Sequence, residues 1–258
     1  MKSMPVLFAA HGSPMNALAN NAFTKSLNEL GQQLPRPQAI LCVSAHWETQ
    51  GTQILAVKNP QTIHDFYGFP KPLFEVQYPA PGSLELANEV QNLIPGSTLS
   101  DRWGFDHGTW SVLVHLYPKA DIPVIQLSLD TSKTPDQHLE VGKLLQPLRE
   151  KNILIMGSGN IVHNLRKIQW QNPNGALDWA KEFDQDIKLA LEKHQQQDLT
   201  HYEEKFGEAA HLSVPTNEHY LPFLYCVGAA ATEDKISYPY EGYEMGSLSM
   251  RSVLWEKN

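Results

Sequence analysis

The sequence predicts an α/β domain with a mostly parallel central sheet flanked by helices on both faces. Short runs of Val, Ile, Leu, Phe and Ala stop abruptly at Gly, Pro, Ser or His, as strands buried on both faces do. Between them lie segments whose apolar residues recur at helical spacing, so strands and helices alternate along the chain. No internal repeat and no Gly/Ser-rich or Pro-rich linker interrupts this alternation, which makes residues 1–258 one domain.

The first strand is expected at 5–10 (PVLFAA) and the second at 39–43 (AILCV). Further strands are expected at 54–57, 74–78, 122–129 and 153–156, with one or two edge strands in 246–255. A helix over 83–94 opens with Ser83 and Glu85 and carries Leu84, Leu86, Ala87, Val90, Leu93 and Ile94. Residues 110–117 read as an apolar helix. Residues 134–151 open with Thr134 and Pro135, a cap followed by a good first-turn residue. Trp179, Phe183, Ile187 and Ala190 or Leu191 mark one face of a helix over 176–194. Residues 195–217, polar and rich in Gln, Glu and His, read as a surface excursion with a short helix at 202–206.

Acidic residues outnumber basic ones 28 to 20, the net charge is -8, and no Lys/Arg cluster is present. This balance argues against nucleic acid or an anionic membrane as partner and favours small molecules. Cys42, in an expected core strand, and Cys226, in an apolar helix, read as buried reduced thiols, which fits the cytoplasm. The first apolar run ends at His11-Gly12-Ser13-Pro14, too short and too early for a signal-peptide core. No run approaches membrane-spanning length. No exposed apolar stripe stands apart from the core pattern, so the oligomeric state is not legible.

The chain has 11 histidines. His11 and His46 each stand where an apolar strand is expected to end, and open parallel sheets bind ligands just beyond that edge. Delivered there by neighbouring strands, two neutral imidazoles would hold a divalent Zn, Fe, Cu or Ni ion. His163 (GSGNIVHN), His219 (TNEHYLP) and His107 (GFDHGTW) also stand among Gly, Asn, Asp and Pro, the context of site residues on loops. His115 and His138 lie inside helices and read as structural, while His194, His201 and His211 are expected to face solvent.

Other motifs fail on detail. Gly157-Ser158-Gly159 lacks the third glycine of a dinucleotide loop, Val162 standing in its place. No phosphate-binding loop, nucleophile elbow, H-E-x-x-H or C-x-x-C is present. A closed structural zinc site usually contains thiolates, and Cys42 and Cys226 are poorly placed to supply them.

The blocks PVLFAAHGSPMNAL, VSAHW, IHDFYGFP, GFDHGTWS, SGNIVHNL, EHYLP and EMGSLSM span nearly the whole chain in order. Together they resemble the DOPA 4,5-dioxygenase-like branch of the class III extradiol ring-cleaving dioxygenases. The resemblance implies insertion of O2 into a catecholic ring, that of DOPA or a related catechol, to give a muconic semialdehyde. It implies Fe(II) for activity, with zinc able to occupy the same site. It makes His11, His46 and His219 metal ligands and His163 the acid/base residue, close enough to serve as a fourth ligand. His107 would assist, and His64, Asp65 and Tyr67 would line the substrate entrance. Protocatechuate-cleaving relatives complete their site with Glu, so Glu218 stays open as the third ligand in place of His219. Two other classes remain: a zinc hydrolase with Glu218 or Asp106 as base, and a non-enzymatic metal-binding interaction protein of the same fold. The joint presence of His11, His46, His163 and His219 opposes the latter.

Overall fold

In the computed structural model, which describes residues 3–257, the strands in chain order are β1 (Val6–Ala10), β2 (Ala39–Thr49), β3 (Gln53–Leu55), β4 (Thr98–Ser100), β5 (Val124–Asp130), β6 (Ile153–Gly159), β7 (Lys235–Tyr240), β8 (Tyr243–Glu244), β9 (Leu248–Ser249) and β10 (Ser252–Glu256). The helices are α1 (Ala22–Gln33), α2 (Lys71–Phe74), α3 (Leu84–Leu93), α4 (His107–Leu116), α5 (Pro135–Leu145), α6 (Asp178–Glu192), α7 (Gln196–Thr200), α8 (Tyr202–Ser213) and α9 (Leu221–Ala229).

The main sheet has the order β4-β3-β5-β2-β6-β1-β10-β7. Its centre, β5-β2-β6-β1, is parallel, and antiparallel β10 and β7 close one side. The central strands feed two cores. Val6 and Phe8, Leu41 and Val43, and Ile155 face the side covered by α3 and α5 to α9, whereas Leu7 and Ala9, Ile40 and Cys42, and Leu154 and Met156 face the side covered by α1 and α4. Burial on both faces is why these strands read as unbroken apolar runs. The expected α/β architecture is therefore what the chain adopts.

Several elements differ from expectation. The first two strands are not neighbours, because β6 lies between them and pairs with both. The second strand does not end before His46: it runs to Thr49, with its pairing to β5 skipping from Val43 to Glu48. Residues 74–78 form no strand. Pro70, Pro72, Pro79 and Pro81 crowd the segment and remove ladder donors, so it makes the single turn α2 and then runs irregularly, with the Tyr78 amide donating to Thr62 Oγ1.

The C-terminal segment splits into β9 and β10, and β10 is interior, between β1 and β7. The edge is β7, whose Pro239 weakens its strand signal and suits an edge position. The helix expected over 134–151 gives way at Pro147 to a 3-10 stretch, Gln146–Lys151. The polar excursion is mostly helical, forming α7 and α8, the latter kinked at Gly207. His194, His201 and His211 are exposed as expected. Helix α1, strand β4 and strand β7 were not anticipated. Among the described residues no helix is long and apolar enough to cross a membrane.

Candidate metal centre

Parallel pairing brings the ends of β1, β6 and β2 to one edge, with Ala10 opposite Gly159 and Ser44 opposite Ser158. His11 follows β1 directly and is 1% exposed. Its Nδ1 lies 3.0 Å from Ser158 Oγ, and that hydroxyl donates its one proton to the Gly108 carbonyl at 2.5 Å. Nδ1 of His11 must therefore be the donor, which leaves Nε2 as the bare, ligating nitrogen. His11 Nε2 stands 3.1 Å from Nε2 of His46. Two nitrogens bound to one tetrahedral zinc at about 2.0–2.1 Å are roughly 3.3 Å apart, so this pair is spaced as two ligands of one ion are.

His46 projects from the irregular part of β2. Its room comes from Gly108, where an added Cβ would meet Ser44 Oγ at 2.5 Å and His46 Cδ2 at 3.0 Å. The third imidazole arrives just before α9. The Asn160 amide donates to the His219 carbonyl at 2.8 Å, and Gly159 allows the approach, since a Cβ there would lie 2.1 Å from that carbonyl oxygen. The glycines of Gly157-Ser158-Gly159 thus serve close packing against the start of α9, not a phosphate. His219 Nδ1 donates to Glu218 Oε1 at 3.0 Å, leaving its Nε2 bare. His11, His46 and His219 each offer a nitrogen within 4.8 Å of the others. Three converging imidazole nitrogens, two of them left bare by a defined partner on the opposite ring nitrogen, suit a divalent transition metal.

Burial is the first cause that holds these rings uncharged, with the mutual repulsion of neighbouring imidazoles added to it. The pKa of His46 falls to about 3, and those of His11 and His219 lie well below the ordinary histidine value. His163, half-buried, stacks on His219 with ring centroids 3.5 Å apart and planes within 5°, and burial lowers its pKa to about 4. It groups with Glu218 and His219 within the same 4.8 Å limit.

His107 is the first residue of α4, whose N-cap is Asp106. Its ring lies 3.8 Å from that of His46, centroid to centroid. Asp65 accepts from the His107 amide (2.8 Å) and from its ring Nδ1 (2.8 Å), and its Oδ2 lies 3.5 Å from His46 Nδ1. Burial pushes the Asp65 carboxyl up, but the His107 hydrogen bonds outweigh it and hold the group below its usual range. Asp106 is fully buried and accepts from Ser44 Oγ, Trp103 Nε1, Gln126 Nε2 and the Thr109 amide. So enclosed, it has no access to a water and does not serve as the base of a hydrolase.

Of the entrance residues, His64 donates from Nε2 to the Val76 carbonyl at 3.0 Å and packs among Phe66, Phe74 and Trp110. Tyr67 is 92% exposed. His115 binds the Asn16 carbonyl and His138 the Tyr225 hydroxyl, both away from the centre. Sequence reasoning missed Ser158, Ser44 and Gly108. Their signal was a small or hydroxylated residue at a strand or helix end beside a histidine, too common a pattern to single out.

The chain matches the family described as catalytic LigB subunit of aromatic ring-opening dioxygenase over residues 4–249. The chain belongs to the LigB family. It is 49% identical to a 4,5-DOPA dioxygenase extradiol of Escherichia coli (strain K12), covering 97% of this chain and 94% of that one. It is 35% identical to the protein of the same description from Beta vulgaris, over 95% and 94% of the two chains. A crystal structure of an uncharacterized protein from Escherichia coli K12 shares the fold with a TM-score of 0.85 and 45% identity, covering 97% and 99%. This LigB-family chain is a metal-dependent, extradiol ring-cleaving dioxygenase of the DOPA-dioxygenase-like branch.

Proposed function

We propose that the enzyme cleaves the ring of DOPA or a closely related catechol beside its hydroxyls, with Fe(II) held by His11, His46 and His219. The observation that carries this reading is the set of three nitrogens within 4.8 Å, flanked by two further imidazoles, His163 and His107, outside the set. Three protein ligands on one side leave positions open for substrate and O2. Fe(II) bound there would supply the electron path from a catecholate to O2, which zinc on the same nitrogens would not.

The side chains supply the proton chemistry. His163, uncharged and half-buried beside His219, takes the proton of a catechol hydroxyl as the ring oxygens bind. The parallel stacking offsets the in-plane lone pairs of His163 and His219 from each other, which supports a proton-transfer role for His163 over ligation. His163 gives that proton back as the ring opens to the muconic semialdehyde, while His107, which sits across His46, accepts a hydrogen bond from the bound ligand. Glu218 orients His219, and its hydrogen bond to Nδ1 supports His219 rather than Glu218 as third ligand. The aromatic loop of His64 and Phe66 screens the His107 side from water. A reducing compartment such as the cytoplasm is supported by the buried, unpaired Cys42 and Cys226.

The test is anaerobic loading with Fe(II), then oxygen-electrode traces against a panel of catechols, watching for a yellow product. O2 uptake with DOPA or a near relative is expected. No uptake with any catechol, together with hydrolysis of an ester or amide by the zinc form, would overturn the reading.

A further inference from the structure

Asp65 lies on the loop before α2, expected at the substrate entrance, yet both of its oxygens face His107: Oδ1 takes the backbone N–H and Oδ2 the ring Nδ1, each at 2.8 Å. The loop is tied down on either side of Ile63, whose amide donates to the Phe105 carbonyl at 2.7 Å and whose carbonyl accepts from Trp110 Nε1 at 2.8 Å. An ionised carboxylate only accepts, so the proton of a neutral His107 ring sits on Nδ1. Nε2 of His107 makes no hydrogen bond among the described residues. The ring is held between Phe66, edge-on at 5.6 Å, and His46 at 3.8 Å.

We propose that Asp65 is a positioning residue: by gripping the backbone and the ring of His107 together, it fixes the Nδ1–H tautomer and presents the bare Nε2 to the ligand beside His46. The use of that nitrogen in ring cleavage rests on the function proposed above, whereas the tautomer does not. With both oxygens engaged, Asp65 contributes through His107 and not by holding the substrate itself.

Asp65→Asn isolates the effect because it keeps the shape and removes one acceptor. The single amide oxygen satisfies the His107 backbone N–H, fixed by the start of α4, and the NH2 then faces Nδ1. Nδ1 must accept, which forces the proton to Nε2. The experiment is long-range 1H–15N spectroscopy of 15N-histidine-labelled, zinc-loaded protein at about pH 9, where the unperturbed imidazole is neutral. His107 is assigned by the signal missing in His107→Gln. The wild-type ring is expected to be protonated at Nδ1 and bare at Nε2, and Asp65→Asn is expected to invert this.

With Fe(II) and a catechol substrate, Asp65→Asn should lower kcat about 100-fold and leave KM within about twofold. A wild-type His107 protonated at Nε2 overturns the proposal without any variant. So does an unchanged tautomer in Asp65→Asn, or a rise in KM at constant kcat, which would mark a substrate contact. If wild-type enzyme turns over no catechol, the functional reading falls and the tautomer alone decides the role of Asp65.

Discussion

His163 lies flat on His219, with 3.5 Å between ring centroids and 5° between planes. Stacked this way, the in-plane lone pairs of the two rings are offset from each other, which suits His163 to proton transfer beside a ligand and not to ligation itself. His163→Gln is therefore expected to lose ring cleavage by about 10²- to 10⁴-fold, with iron content unchanged by elemental analysis. Loss of the metal in parallel with activity would make His163 a ligand.

Glu218 and His219 are neighbours in sequence with separate expected roles. His219→Ala should abolish tight metal binding, while Glu218→Gln should keep it within about tenfold, since a glutamine oxygen can still accept from His219 Nδ1. Competition with a zinc chelator measures both. The reverse order would make Glu218 the ligand.

Ser158 relays between the Gly108 carbonyl and His11 Nδ1. Ser158→Ala leaves that nitrogen without its acceptor and the ring free to take the other tautomer. A 10- to 100-fold weaker metal affinity is expected, with little change in far-UV circular dichroism.

Gly108→Ala pushes a methyl group into Ser44 Oγ and the His46 ring. A cost of about 1–3 kcal/mol in denaturant unfolding is expected. Metal binding should fall with it, because the displaced ring is a ligand. Full affinity at reduced stability would show that His46 adapts.

Burial lowers the pKa of His138 to about 4, against about 6.5 when unfolded. Between those values the unfolded chain binds a proton that the folded one does not, so the stability present above about pH 6.5 is lost as pH falls toward 4. His138→Gln should flatten this decline by up to about 3 kcal/mol relative to wild type. Urea titrations across that interval, at matched metal content, measure the difference. Parallel curves would show that His138 does not carry the effect.

The sequence by itself determined the α/β class, since strands covered on both faces leave continuous apolar runs and amphipathic helices leave a 3.6-residue period. It also singled out His11, His46, His163, His219 and His107, because histidines among Gly, Asn and Asp at element ends stand out locally. Strand order was decided by long-range pairing: β6 between β1 and β2, and β10 inside the sheet, follow from which edges meet in space, and no local pattern encodes that. The partners of each imidazole belong to the same level. Ser158 is 147 residues from His11 and Asp65 is 42 residues from His107, so their hydrogen bonds, and with them the nitrogen each ring leaves bare, exist only once the chain has folded.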